Sequence, residues 1–216
     1  MQRTLKAKAT ASTRPSRTDM TPAGAMGEPL LKPNRRPVVS SAVLGTLFFV
    51  VAEVMFFSGA ISAFTISRSG AAPGTWPMPG QPRLPAEATA LNTVLLLLSG
   101  VVLFFAHRLY RKQSPIAQWI TLCAWGLGAG FVALQGVEWA GLLANGLTLT
   151  SSPLGSFFYL IVGAHAFHAV IALLVLGWSW VQMARGTLNP GLFFGAQTFW
   201  YFVVLMWPVI YARVYF

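Results

Sequence analysis

The fold is read from one stretch: Gln135-Gly136-Val137-Glu138-Trp139, a polar break at Leu147-Thr148-Leu149-Thr150-Ser151-Ser152-Pro153, then an apolar run carrying His165-Ala166-Phe167-His168. The break divides two long hydrophobic segments. Each reads as a helix crossing a membrane, and each carries ionisable side chains into it. A charge at such depth is costly and marks a functional position. Residues three or four apart on a helix share a face, which groups Gln135 with Glu138 and His165 with His168.

Composition places the rest of the chain in the same setting. Of 216 residues, 55% are hydrophobic and 9% charged, where a soluble domain carries about 25% charged residues. The 15 Lys and Arg against 5 Asp and Glu raise a nucleic-acid reading, but the distribution excludes it. Eight of the basic residues precede Pro37 and the others flank apolar segments. Basic residues beside a span are explained by their excess on the cytoplasmic side and by anionic lipid. One cysteine, Cys123, excludes an internal disulfide and a thiol pair for zinc.

Residues 1–37 are rich in Arg, Lys, Ser, Thr and Pro and show no apolar stripe. They predict a disordered basic tail, read first as a cytoplasmic anchor. The Arg- and Ser-rich start also resembles an organelle transit peptide; no apolar core with a small-residue cleavage site marks a secretory signal.

Residues 38–216 predict a five-helix transmembrane domain, all-α, with spans at 41–66, 88–107, 116–143, 154–183 and 192–216. At about 1.5 Å per residue, each approaches or exceeds the roughly 30 Å hydrocarbon layer. Glu53 falls near the middle of the first span, and Ser58, Gly59, Ser62 and Ala63 form a small-residue stripe for close helix packing. Pro73, Pro77, Pro79, Pro82 and Pro85 forbid a regular helix between the first two spans, with Trp76 as an interface anchor. His107, at the end of the second span, is expected at the interface. Gly126-Leu127-Gly128-Ala129-Gly130 has the look of a dinucleotide loop but lacks the preceding strand, so it predicts close helix packing.

The basic residues set the orientation. With the tail inside, the inner segments hold twelve and the outer ones three, Arg68, Arg83 and Arg213. The expected topology has the N-terminus inside and the C-terminus outside.

The candidate site residues are Glu53, Gln135, Glu138, His165 and His168, as intramembrane proton or hydrogen-bond groups. Glu138 is expected near the outer interface. Glu53, deeper, predicts either a proton kept on the acid or a base from another helix; an interhelical hydrogen bond and proton handling both remain open. Metal or haem ligation by His165 and His168 would need further ligands, and His107 is the only other histidine. The residues therefore predict no metal, no cofactor and no catalytic group in this chain. Interhelical hydrogen bonds from the two histidines, averaging below about 1 kcal/mol in membranes, would fix helix register.

These residues also carry a family pattern. Ala52-Glu53-Val54-Met55-Phe56-Phe57-Ser58-Gly59, Leu91-Asn92-Thr93 with Ser99-Gly100, and Gln135-x-x-Glu138-Trp139 resemble the cytochrome c oxidase subunit III family. So do Gly155-Ser156-Phe157-Phe158-Tyr159, His165-x-x-His168 and the loop Trp76-Pro77-Met78-Pro79-Gly80-Gln81-Pro82. The matches cover essentially all of residues 41–216. The resemblance implies a bundle without the first two helices of the seven-helix members and without a redox centre of its own. It implies packing beside catalytic subunit I, with subunit II, of a bacterial inner-membrane terminal oxidase whose haem and copper lie in those partners. Bound phospholipid and support of proton uptake come with it, and Glu53, His165 and His168 match the family's intramembrane carboxylate and paired histidines. One departure lies in the last helix, where the family's Trp-His-Phe-Val-Asp is replaced by Trp200-Tyr201-Phe202-Val203-Val204.

The expected function is accordingly a non-catalytic accessory subunit of a respiratory oxidase that binds no nucleic acid, with contact to another respiratory complex left open. The nearest alternative is the accessory subunit of a nitric oxide reductase. A small proton-coupled transporter would be expected to show inverted repeats, which the two halves lack. A transient assembly factor is a further alternative.

Overall fold

The computed structural model describes residues 41–72, 74–76 and 84–216, with the backbone alone at 41 and 42. The basic tail and residues 77–83 of the Pro-rich connection lie outside the described residues. Five α-helices follow one another: α1 Ser41–Ser69, α2 Ala86–Arg111, α3 Ala117–Ala144, α4 Pro153–Ala184 and α5 Pro190–Val214. No strand occurs among the described residues. All five helices are long and apolar enough to cross a membrane. They run a few residues past several of the ends expected from hydropathy, because polar caps and interfacial residues extend each helix beyond its apolar centre.

The helix starts follow from local chemistry. Ser152 caps α4 by accepting a bond from the Gly155 amide at 3.0 Å, with Pro153 in the first turn. Asn189 caps α5 through its Oδ1, 2.8 Å from the Gly191 amide, with Pro190 following. An N-cap oxygen satisfies an amide that has no helical partner, and proline tolerates the first turn because it has no amide to satisfy. Between α4 and α5 the chain turns through Gly186 at φ 69°, a left-handed conformation that costs glycine little.

Helix contacts close α2, α3, α4 and α5 into a ring: α2 against α3, α3 against α4, α4 against α5 and α5 against α2. Among the described residues, α1 stands outside this ring and its helix partners are α4 and α5. α5 is therefore the axis of the bundle. Its Phe193, Trp200, Val203, Trp207 and Ile210 are among the most buried side chains.

Close approaches fix the register. A Cβ added to Gly128 of α3 would lie 2.6 Å from Cη2 of Trp200, whereas one on Gly126 or Gly130 would meet nothing within 4 Å. The glycine cluster thus serves close packing, at its central member alone. The α1 stripe expected to pack closely behaves differently. Ser58, Gly59, Ser62 and Ala63 are all exposed, and a Cβ on Gly59 would meet nothing within 4 Å. α1 instead turns Phe57 and Phe64 inward, both essentially fully buried. Large flat side chains bury more contact area than a small-residue stripe offers. Trp76 is half-buried with its ring edge-on to Phe64, centroids 5.8 Å apart, so it docks on the bundle.

Candidate functional site

Two polar clusters occupy the apolar interior, one on each side of α4 and α5. The first joins α1 to α4. Glu53 Oε2 lies 3.1 Å from His168 Nε2, with the side chains 19% and 11% exposed. His168 Nδ1 lies 2.6 Å from the carbonyl oxygen of Ala164, one turn earlier on α4. A carbonyl can only accept, so Nδ1 carries a proton. One proton then remains for the contact between Nε2 and Oε2. Either the acid keeps it and the imidazole is neutral, or the imidazole takes it and the two form an ion pair. Both arrangements have zero net charge, which is how an acid and a base can be held together in an apolar layer. Phe49, Phe57, Phe199 and Phe202 surround the imidazole, with centroids 5.8 to 6.2 Å from its own.

The second cluster joins α2, α3 and α5. Gln135 Nε2 donates to Glu138 Oε2 at 3.0 Å, so the pair on one face of α3 forms a bond. The Thr89 hydroxyl lies 2.8 Å from the same carboxyl oxygen. Asn92 Nδ2 donates to the Phe131 carbonyl at 3.2 Å and to Gln135 Oε1 at 3.3 Å. Beyond these, α5 is bonded to α2 in antiparallel register. Trp200 Nε1 donates to Ser99 Oγ at 3.1 Å, Trp207 Nε1 to Thr93 Oγ1 at 2.8 Å, and the Tyr211 hydroxyl to the Ala86 carbonyl at 2.8 Å. The hydroxyls can accept because their own protons go backward along the helix, Thr93 to the Thr89 carbonyl and Ser99 to the Leu96 carbonyl.

The five sequence candidates thus separate. Glu53 and His168 meet, and Gln135 and Glu138 meet. His165 joins neither pair. It is 1% exposed and stacks on Trp207, with centroids 5.1 Å apart and planes at 29°. Neither of its ring nitrogens has a hydrogen-bond partner among the described residues. His168 thus reaches Glu53 on another helix, whereas His165 lies against Trp207, whose indole gives its N–H to Thr93. His107, expected at the interface, packs its ring on Phe193 and Phe194 of α5.

Sequence reasoning missed Thr89, Asn92, Thr93 and Ser99 as one polar face of α2, and Trp200 and Trp207 as its partners. The signal was present, since 89, 92, 93, 96, 99, 100 and 103 recur at helical spacing and all are buried. No group of three or more His, Cys, Asp or Glu among the described residues could hold a metal ion.

Fold and polar interior together define a multi-pass membrane protein of helical-bundle type, tied together by buried hydrogen bonds. A family model for cytochrome c oxidase subunit III matches residues 28–216. Among curated proteins, cytochrome c oxidase subunit 3 of Latimeria chalumnae is 32% identical over 190 residues, covering 83% of this chain and 70% of that protein. The Ornithorhynchus anatinus protein of the same name is 33% identical over 182 residues, covering 79% and 67%. The chain belongs to the cytochrome c oxidase subunit III family.

Proposed function

We propose that this chain is a non-catalytic accessory subunit of an oxygen-reducing haem-copper terminal oxidase. It sits in a bacterial cytoplasmic membrane with its basic tail inside and its C-terminus outside. It packs beside the catalytic subunit and a second subunit, which hold the haem and copper, and it binds phospholipid along its exposed apolar faces. The similarly named relatives support the oxidase assignment, and the charge bias of twelve against three supports the orientation.

The observation that carries a proton role is the Glu53–His168 contact at 3.1 Å. With Nδ1 committed to the Ala164 carbonyl, the pair holds one transferable proton at constant net charge. The proton can shift between Glu53 and His168 with the pair's net charge unchanged, and uptake of a second proton from one side adds a positive charge that is removed only when a proton is released to the other. In this reading Glu53 and His168 help keep proton supply to the catalytic subunit intact during sustained turnover. Gln135 and Glu138 position α3 against α2.

The test begins by solubilising the membrane gently and purifying through this chain. Companion chains with the haem spectrum of an oxidase are expected. Companions forming a nitric oxide reductase would replace the assignment, and stoichiometric haem or copper on this chain alone would overturn it. In the complex, Glu53→Gln is expected to leave the haem spectrum intact and to lower proton uptake or shorten the period of sustained turnover. Unchanged uptake and endurance would remove the proton role and leave a purely structural pair.

A further inference from the structure

Two cavities follow one another along the seam between α3 and α4. The first, of about 700 Å³, sits where α3 begins and α4 ends, and Arg111, Gln113, Ser114, Gln118 and Met183 are among its lining residues. The second, of about 330 Å³, lies further along the two helices, lined by Leu122, Trp125, Gly177, Trp178 and Trp180 among others. On α3, Gln118, Leu122 and Trp125 are four and three residues apart and share a face. On α4, Trp180 and Met183 are neighbours at three residues. The cavities therefore form one track, which runs about 10 Å along α3 from Gln118 to Trp125.

Polarity reverses along that track. Arg108, Arg111, Lys112 and Arg185 all lie at the end of the bundle that holds the first cavity, and none has a carboxylate partner among the described residues. The described acids are far from it in the fold: Glu53 in mid-α1, Glu87 at the start of α2 and Glu138 in the last part of α3. The second cavity carries no charged residue, and its wall is aromatic. Trp125 gives its indole N–H to the Leu173 carbonyl at 3.0 Å. Gly177 leaves room for that ring, since a Cβ there would lie 2.9 Å from Trp125 Nε1. Trp178, on the rim, is 56% exposed, so the groove opens outward from the bundle.

We propose that this track seats one anionic phospholipid, with its phosphate beside Arg111 and one acyl chain in the tryptophan-lined groove. An amphiphile is the ligand whose own polarity reverses over such a distance. A guanidinium holds a phosphate through paired N–H groups, and Gln113, Ser114 and Gln118 supply neutral donors for the oxygens around it. An anionic head balances the uncompensated positive charge at this end, which a zwitterionic head does not. Free phosphate would leave the groove empty. An apolar segment of another protein would fill the groove and leave the four cations unbalanced. This is one defined seat, apart from the general contact of lipid with exposed apolar faces. It rests on the chain's spanning a membrane and not on the oxidase reading.

The test uses the full chain, purified with whatever companions it retains and washed in detergent until loosely held lipid is gone. Dioleoylphosphatidylglycerol is titrated in, and the lipid retained per complex is counted by mass spectrometry; a difference between parent and variant belongs to this chain. Saturable retention is expected, tighter than that of dioleoylphosphatidylcholine and not displaced by inorganic phosphate. Arg111→Gln, at an exposed position, should weaken it about tenfold, the worth of one hydrogen bond to a charged group. Lys112→Gln removes a neighbouring cation that does not line the cavity and should weaken it much less. Leu122→Trp fills the groove and should abolish the saturable retention. Should Leu122→Trp fail to assemble, the comparison of Arg111→Gln with Lys112→Gln still decides. Equal retention of the two lipids, equal loss in the two cation variants, or displacement by inorganic phosphate would each overturn the proposal. So would parent-like binding by an assembled Leu122→Trp protein, or no retained phosphatidylglycerol at all, the result expected if a protein segment fills the groove.

Discussion

Glu53 Oε2 faces His168 Nε2 at 3.1 Å, and the two residues lie on helices that are not neighbours in sequence. They meet because, among the described residues, α1 packs on α4 and α5 and not on α2. Glu53→Leu removes the partner of His168 Nε2 and leaves a buried polar nitrogen unmatched, at a cost of about 1–3 kcal/mol. Glu53→Gln keeps a group that can bond to Nε2 and should cost less than about 1 kcal/mol. Thermal unfolding of the purified complex distinguishes the two. A leucine variant as stable as the parent would show that the pair contributes nothing to holding α1.

The bond from Trp207 Nε1 to Thr93 Oγ1, at 2.8 Å, ties α5 to α2. Trp207→Phe with Thr93→Val gives a double-mutant cycle in which each single change removes one partner. The coupling energy should be near 0.6 kcal/mol and at most about 1.7 kcal/mol, the range of interhelical bonds in membranes. Chemical unfolding in detergent micelles measures it. Strict additivity would mean that the indole packs without its hydrogen bond mattering.

Five helices and the Gln135–Glu138 grouping were legible because they depend on local spacing. Apolar length identifies a span, and three residues of separation put two side chains on one face. The partner of Glu53 was not legible, since it depends on which helix α1 touches. The stripe of Ser58, Gly59, Ser62 and Ala63 misled for a related reason. In water an apolar face must be buried, whereas in lipid it is equally at home against lipid or protein. Sequence therefore does not say which apolar face of α1 is the packed one. The α2 stripe from Thr89 to Ser99 could be read, because polar side chains inside a span face protein and not lipid.

Asn189 caps α5, the helix on which the bundle is built. Asn189→Ala leaves the Gly191 amide without its side-chain acceptor and should destabilise by about 0.5–2 kcal/mol, whereas Asn189→Asp should cost little. The comparison is read as the midpoint of thermal unfolding. Equal midpoints for the two variants would show that water replaces the cap at no cost.

Gly128 and Gly130 stand two residues apart on α3 and give opposite expectations. A Cβ at 128 would overlap the six-membered ring of Trp200, whose indole N–H also bonds to Ser99 Oγ at 3.1 Å. Gly128→Ala therefore forces α3 and Trp200 apart and strains that bond, at about 1–3 kcal/mol for an overpacked interior. Gly130→Ala adds the same methyl group where nothing lies within 4 Å, and the gain in helix propensity makes it neutral or slightly stabilising. Trp200→Leu frees the space beside position 128, so adding it to Gly128→Ala should cost less than the two single changes together. The interaction term is read from unfolding midpoints of the four proteins in one detergent. If Gly128→Ala were as well tolerated as Gly130→Ala, α3 would not approach α5 as closely as this packing requires.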